Sequence, residues 1–170
     1  IDYLYDFLIE DGGTRFASLS AVDLPARMDV LQEMLLHPST VTGLSDAGAH
    51  VTLICDGSMP TTQLTYWTRD RSKGEKIPLE FIVRKQTALN AELYGFTDRG
   101  TLEVGKKADI NVIDHQKLRV SPPVPHMDLP MGGTRLMQPV NGYINTLCNG
   151  ISTRELDEDT GNRPGRLVRS

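Results

Sequence analysis

Apolar positions recur at helical spacing through the first part of the chain and alternate with polar ones towards its end. Ile1, Leu4 and Leu8 share one helical face, with Asp2, Asp6 and Glu10 polar. Asp11-Gly-Gly13 interrupts this pattern, and residues 14–19 read as a brief strand. Asp23 stands as an N-cap with Pro25 in the first turn. Leu24, Met28, Leu31, Leu35 and Leu36 then repeat at helical spacing until His37-Pro38, where the proline stops the run. Residues 40–45 read as a strand that ends at Asp46, and Val51 to Ile54 is a second short apolar run. Further helices are expected from Thr61 or Thr62 to about Arg71, and from Pro78 to Tyr94, closed by Gly95. Strands alternating with helices up to residue 98 predict an α/β layer architecture.

The texture changes after Asp98-Arg-Gly100. Leu102 and Val104 alternate with polar neighbours, Gly105-Lys-Lys107 turns, and Ala108 to Ile113 reads as a buried strand. Ser121-Pro-Pro-Val-Pro125 opens a segment expected to stay a loop through Pro139. Asn141 to Cys148 reads as a strand ending in Asn149-Gly150, the strongest hairpin signal in the chain. An acidic tail, Glu155 to Asp159, and a turn-rich stretch, Gly161 to Gly165, follow. The organisation is therefore an α/β part, 1–98, and a small β part, 99–170.

Composition narrows the class. The 170 residues are 39% hydrophobic, enough for a core of about one domain. A net charge of −4 with 18 scattered Lys and Arg argues against a nucleic-acid partner. No apolar run approaches the roughly 20 residues that cross a bilayer. Two widely separated cysteines are too few for a disulfide framework, so a reducing, cytoplasmic location is expected. The chain opens at Ile1 inside a helical pattern, which reads as a piece of a longer protein.

Candidate chemistry centres on Val41-Thr-Gly-Leu-Ser-Asp46-Ala-Gly-Ala-His50. A carboxylate at a strand end, opening into a Gly/Ala turn, suits the catalytic rim of an α/β barrel, where active-site groups sit on strand ends and the loops after them. Asp46 has the chemistry of a metal ligand or general base; the competing reading is a turn former. His50 lies on the same rim as a substrate contact, or else caps a helix. Asp56 reads as a turn residue, His37 as structural beside a helix C-terminus, and His126 as a group in a Pro-rich loop at the mouth of a site. Cys55 reads as a small buried hydrophobe, without a base spaced near it. Tyr66 and Trp67 pack a helix, while Arg69 and Arg71 offer a clamp for a substrate carboxylate. Gly100, Gly105 and Asp109 read as structural.

Three stretches together resemble the C-terminal part of an amidohydrolase: Gly43-Leu-Ser-Asp46-Ala-Gly-Ala-His50, Thr87-Ala-x-Asn-Ala91 running on to Gly95-Phe-x-Asp-Arg-Gly100, and Gly105-Lys-Lys-Ala-Asp109 to Asp114. His126-Met-Asp-Leu-Pro130, Val140-Asn-Gly142, Cys148-Asn-Gly150 and Thr160-Gly-x-x-Pro-Gly165-Arg-Leu-x-Arg169 resemble the D-aminoacylase branch. The resemblance implies an α/β fold: the last units of a metal-dependent (β/α)₈ barrel, with Asp46 ending the eighth strand, joined to the C-terminal strands of a small β-sandwich. It implies a divalent metal, zinc, with most ligands outside this chain. Asp46 would contact the metal-bound water, accept its proton and pass it to the leaving amine. The substrate would be an N-acyl-D-amino acid, and the remaining N-terminal barrel segment would be the structural partner. None of His37, His50, His115 and His126 stands where the family's other metal ligands belong. Two other readings stay open: a non-catalytic piece that packs against a partner, and a cyclic-amide hydrolase or deaminase on the same architecture.

Overall fold

The computed structural model describes residues 6, 7, 9, 10, 28–43 and 45–168. The face formed by Ile1, Leu4 and Leu8, the punctuation at residues 11–13, the strand expected at 14–19 and the cap at Asp23 lie outside them, although residues 6, 7, 9 and 10 are helical. Contacts divide the chain into two compact units, 1–40 and 41–170. In the first, α1 (Met28–Leu36) stops one residue before His37-Pro38, as the proline dictates. The His37 amide closes the helix on the Glu33 carbonyl at 3.0 Å.

The second unit mixes short helices with antiparallel sheets. A 3₁₀ turn (Asp56–Ser58) leads into α2 (Met59–Thr62), with Pro60 in its first turn. The chain then widens into a π-helix (Gln63–Asp70). Its five-residue ladder is explicit where the Arg71 amide reaches the Tyr66 carbonyl at 2.9 Å. Periodicity predicted one α-helix over this stretch, because local propensity does not separate the two ladders. A side chain from the β part lies against this ladder: His115 Nε2 is 3.1 Å from the Leu64 carbonyl oxygen and 2.9 Å from Thr68 Oγ1. The helix expected from Pro78 is two, α3 (Leu79–Gln86) and α4 (Ala88–Leu93), broken at Thr87 with φ −122° and ψ −83°.

The core of this unit lies between these helices and the loop at residues 114–118. Leu64, Trp67, Ile77, Ile82, Ala91 and Leu118 are buried. Trp67 takes Tyr66 edge-on at 5.1 Å between ring centres and the Arg71 guanidinium over its face at 4.8 Å. Buried Lys85 is held beside the Phe81 ring, its ammonium pushed below the usual lysine range by burial.

A four-stranded sheet has the order β1 (Ile110–Ile113), β6 (Tyr143–Cys148), β7 (Ile151–Glu155), β8 (Glu158–Asp159). Two-stranded sheets pair β2 (Arg119–Val120) with β5 (Val140–Asn141), and β3 (Val124–Leu129) with β4 (Gly133–Met137). Every strand pair among the described residues is antiparallel. The β6–β7 hairpin turns at Asn149 and Gly150, with φ 51° and 80°, as the Asn-Gly signal requires.

Four local expectations are corrected. Residues 40–43 and 45 form no strand, and Val51 to Leu53 are turns. An extended apolar run becomes a strand only when a neighbour takes up its ladder hydrogen bonds; Thr42 is held instead through its own side chain, its hydroxyl donating to the Lys85 carbonyl at 3.2 Å and accepting from Asn90 Nδ2 at 3.1 Å. Leu102 and Val104 lie in an irregular stretch and are 81% and 108% exposed, so their alternation marks no buried face. The Pro-rich segment before Pro139 is not a loop but the β3–β4 hairpin, in which Pro125 is tolerated because a two-stranded sheet has only edges.

The Asp98-Arg-Gly100 and Gly105-to-Asp109 stretches meet in one charged knot. Arg99 bridges Asp98 at 2.9 Å and Asp109 at 3.2 Å, and Lys107 reaches Asp98 at 3.0 Å. The Asp109 carboxylate also accepts the Asn149 amide at 2.7 Å, tying the knot to the β6–β7 hairpin. Asp109 is thus structural, as expected. The hydrogen bonds from Arg99 and then Lys107 hold the Asp98 carboxyl well below the usual carboxylate range. A depressed carboxylate stabilises the fold above its unfolded value of about 3.9 and loses that contribution as pH falls below it. Asp98→Asn is therefore expected to show a smaller drop in urea midpoint between pH 5 and pH 3 than the parent chain. An equal drop in both would remove the knot from the acid response.

Candidate active site

The Asp46 segment is two consecutive turns. The Ala49 amide donates to the Asp46 carbonyl at 3.0 Å, closing a β-turn with Gly48 at φ 95°. The His50 carbonyl then accepts from the Leu53 and Ile54 amides at 2.7 and 2.9 Å. Asp46 and His50 both adopt positive φ, 54° and 42°. Aspartate and histidine are among the few non-glycine residues found there with any frequency. Backbone held in this region costs about 1–3 kcal/mol and is concentrated at functional sites. Both side chains are exposed.

The turn rests on its own continuation. A Cβ built on Gly57 would lie 3.5 Å from Ala47 Cβ, and the Val51 carbonyl accepts the Leu136 amide of β4 at 2.8 Å. Ser58, buried at the end of this stretch, donates its hydroxyl to Gln138 Oε1. Thr61 Oγ1 lies 2.8 Å from the Tyr143 hydroxyl, joining α2 to the main sheet.

The remaining candidates separate into structural roles. Asp56 opens the 3₁₀ turn, and burial, with Asp56 beside it, pushes the Cys55 thiol up, away from nucleophilic character. His37 Nδ1 lies 3.2 Å from the Ser39 amide just past the end of α1. His115 braces the π-helix, whereas His126 sits exposed on β3 opposite Arg135. The two arginines considered as a substrate clamp are used inside the fold. Arg69 grips Asp70 at 2.6 Å and the carbonyls of His115 and Leu118, and Arg71 is 3% exposed under the Trp67 ring. Two residues that bear on the turn escaped the sequence pattern, Ser58 and Gln138. They are ordinary polar residues far apart in the chain, and no local signal joins them.

Among the described residues, no group of three or more His, Cys, Asp or Glu side chains stands together as a metal-holding cluster. Three or four ligands are the norm for zinc, so the described residues alone do not fit one. Nor is any helix among them long and apolar enough to cross a membrane.

Residues 6–151 match the profile of the Amidohydrolase family, a span that includes the Asp46 turn, the π-helix and the charged knot. The chain belongs to the amidohydrolase family. Neither a curated protein nor a solved structure matches it. Membership makes this a hydrolase domain with a small-molecule substrate, and members of the family commonly use divalent metals.

Proposed function

We propose that this amidohydrolase chain supplies the proton-handling carboxylate of an enzyme that cleaves the amide bond of N-acyl-D-amino acids or close relatives. The observation that carries the reading is Asp46, an exposed carboxylate held at φ 54° in a hydrogen-bonded turn inside the stretch matched to the family. An ionised carboxylate beside the attacking water takes its proton as the acyl carbon becomes tetrahedral. The same group then gives that proton to the departing nitrogen, which leaves as a neutral amine rather than an anion. His50, exposed on the same double turn, is proposed to contact the substrate. Residues 1–98 are proposed as the last units of a (β/α)₈ barrel, and residues 99–170 as the C-terminal share of a β-sandwich, in a cytoplasmic protein.

Zinc is the proposed metal. Because the described residues do not fit it alone, most of its ligands are assigned to the remaining barrel segment, with Asp46 as the ligand proposed from this chain, and the isolated chain is proposed to be inactive. The test is a panel of N-acyl-D-amino acids, N-acyl-L-amino acids and cyclic imides, assayed with the full-length protein. Amine release fastest from the N-acyl-D series is the expected result. Fastest ring opening of the cyclic imides would replace this reading with a cyclic-amide hydrolase.

A further inference from the structure

We propose that the β3–β4 hairpin is the positioning element for the Asp46–His50 double turn, acting through Gln138 and the Leu136 amide. The proposal rests on the catalytic reading of Asp46 given above. Residues 46–50 are all exposed, and the hydrogen bonds within the double turn are local, from Ala49 to Asp46 and from Leu53 and Ile54 to His50. A turn with two non-glycine residues at positive φ keeps that shape only where its surroundings over-determine it.

The hairpin supplies that constraint at two points. The Leu136 amide holds the Val51 carbonyl at 2.8 Å, immediately after His50. Gln138, two residues further along, accepts the hydroxyl of buried Ser58. Both ends of the 51–58 stretch are therefore fastened to one short piece of chain. The second fastening reaches back towards the turn, because the Ala47 Cβ lies 3.5 Å from where a Cβ on Gly57 would stand, beside Ser58. The hairpin is itself braced. Arg135 on β4 grips Asp128 on β3 with two hydrogen bonds of 2.7 Å, a fork geometry that resists sliding of one strand past the other. At its base the Ser121 amide donates to the Pro139 carbonyl at 2.8 Å, continuing into the β2–β5 pair. The path from the hairpin to the carboxylate runs Gln138, Ser58, Gly57, Ala47, Asp46.

Proton transfer depends steeply on placement, and a displacement of about 1 Å can cost about a hundredfold in rate. A positioning role predicts a loss in kcat larger than any rise in KM, since the base acts only in the transition state while the His50 contact proposed on the same turn also serves the ground state. The experiment has two readouts on the full-length protein. Amide hydrogen exchange at Ala49, Leu53 and Ile54 is expected to rise about tenfold or more in Gln138→Leu, while the β6–β7 amides keep their protection. On the N-acyl amino acid that the parent hydrolyses fastest, kcat is expected to fall by about tenfold to a hundredfold with KM within about twofold, and Gln138→Glu, which keeps an acceptor oxygen for Ser58, is expected to restore it.

Ser58→Ala removes only the donor hydroxyl and serves as the second variant; it decides by the same readouts if Gln138→Leu loses protection throughout β6–β7. Unchanged exchange at the three turn amides overturns the proposal, as does a raised KM at constant kcat. Should Asp46→Asn retain parental turnover, the catalytic reading fails, and the exchange result alone still decides whether the hairpin holds the turn.

Discussion

Asp46→Asn in the full-length protein is expected to lower kcat by about 10²- to 10⁴-fold, the range lost when a positioned proton-transfer group is removed. The substitution is chosen for what it leaves alone. Asparagine matches aspartate in shape, and it is the other residue that readily accepts the left-handed backbone seen here at φ 54°. The side chain is exposed, so no buried group loses a partner. An alanine at the same position would strain the turn as well as remove the base, and would confuse the two effects. Steady-state kinetics beside a circular-dichroism melt separates them: kcat should collapse while the melt stays within about 1 °C of the parent, since exposed substitutions away from special features cost little. Near-parental kcat would end the assignment of Asp46 as the base.

The largest effect on stability is expected from Gly142→Ala. Gly142 separates β5 from β6 at φ 110°, where its backbone crosses the loop after β1. An added Cβ would meet the Leu118 Cα at 2.6 Å and the Leu118 nitrogen at 2.8 Å. Both are backbone atoms, so neither can swing aside as a flexible side chain would, and Leu118 is fully buried. The crossing is also a hydrogen-bonding node: the Gly142 carbonyl accepts the Asp114 amide at 2.9 Å, and the Gly142 and Tyr143 amides donate to the Asp157 carboxylate at 3.0 and 2.8 Å. Left-handed strain of about 1–2 kcal/mol and overpacking of about 1–3 kcal/mol add to roughly 2–5 kcal/mol. Urea denaturation measures this directly. Gly161→Ala is the control, because Gly161 shares a positive φ of 80° but has nothing within 4 Å of an added Cβ, so it should lose only the backbone share. Equal losses in the two variants would refute the close-approach explanation.

The elements legible in advance were those with local causes. The stop of α1 at His37-Pro38 follows from the proline ring, and the turn at Asn149-Gly150 from the ease with which those two residues take positive φ. The Asp46 stretch, a carboxylate set among small residues, falls within the span matched to the amidohydrolase family. The π-helix and the Pro-rich β3–β4 hairpin were not legible, because each depends on partners distant in the chain. Leu64's carbonyl is met by His115, and β3 exists because β4 returns beside it. The strand expected before Asp46 failed for the converse reason: its residues have the propensity, but no neighbouring strand pairs with residues 40–43 and 45, and the Thr42 hydroxyl is tied to the Lys85 carbonyl and the Asn90 side chain instead.

Residue type and spacing were enough to establish a mixed α and β chain and the position of its principal turns, and they single out Asp46 as the residue on which the proposed chemistry is placed. Tertiary structure alone decided that Arg69 and Arg71 are taken up by partners within the fold, that Ser58 meets Gln138, and that Gly142 admits no side chain. Side-chain chemistry and backbone preference are properties of a residue and its near neighbours. Partnership between groups scores of residues apart exists only once the chain has closed on itself, and no local pattern encodes which two will meet.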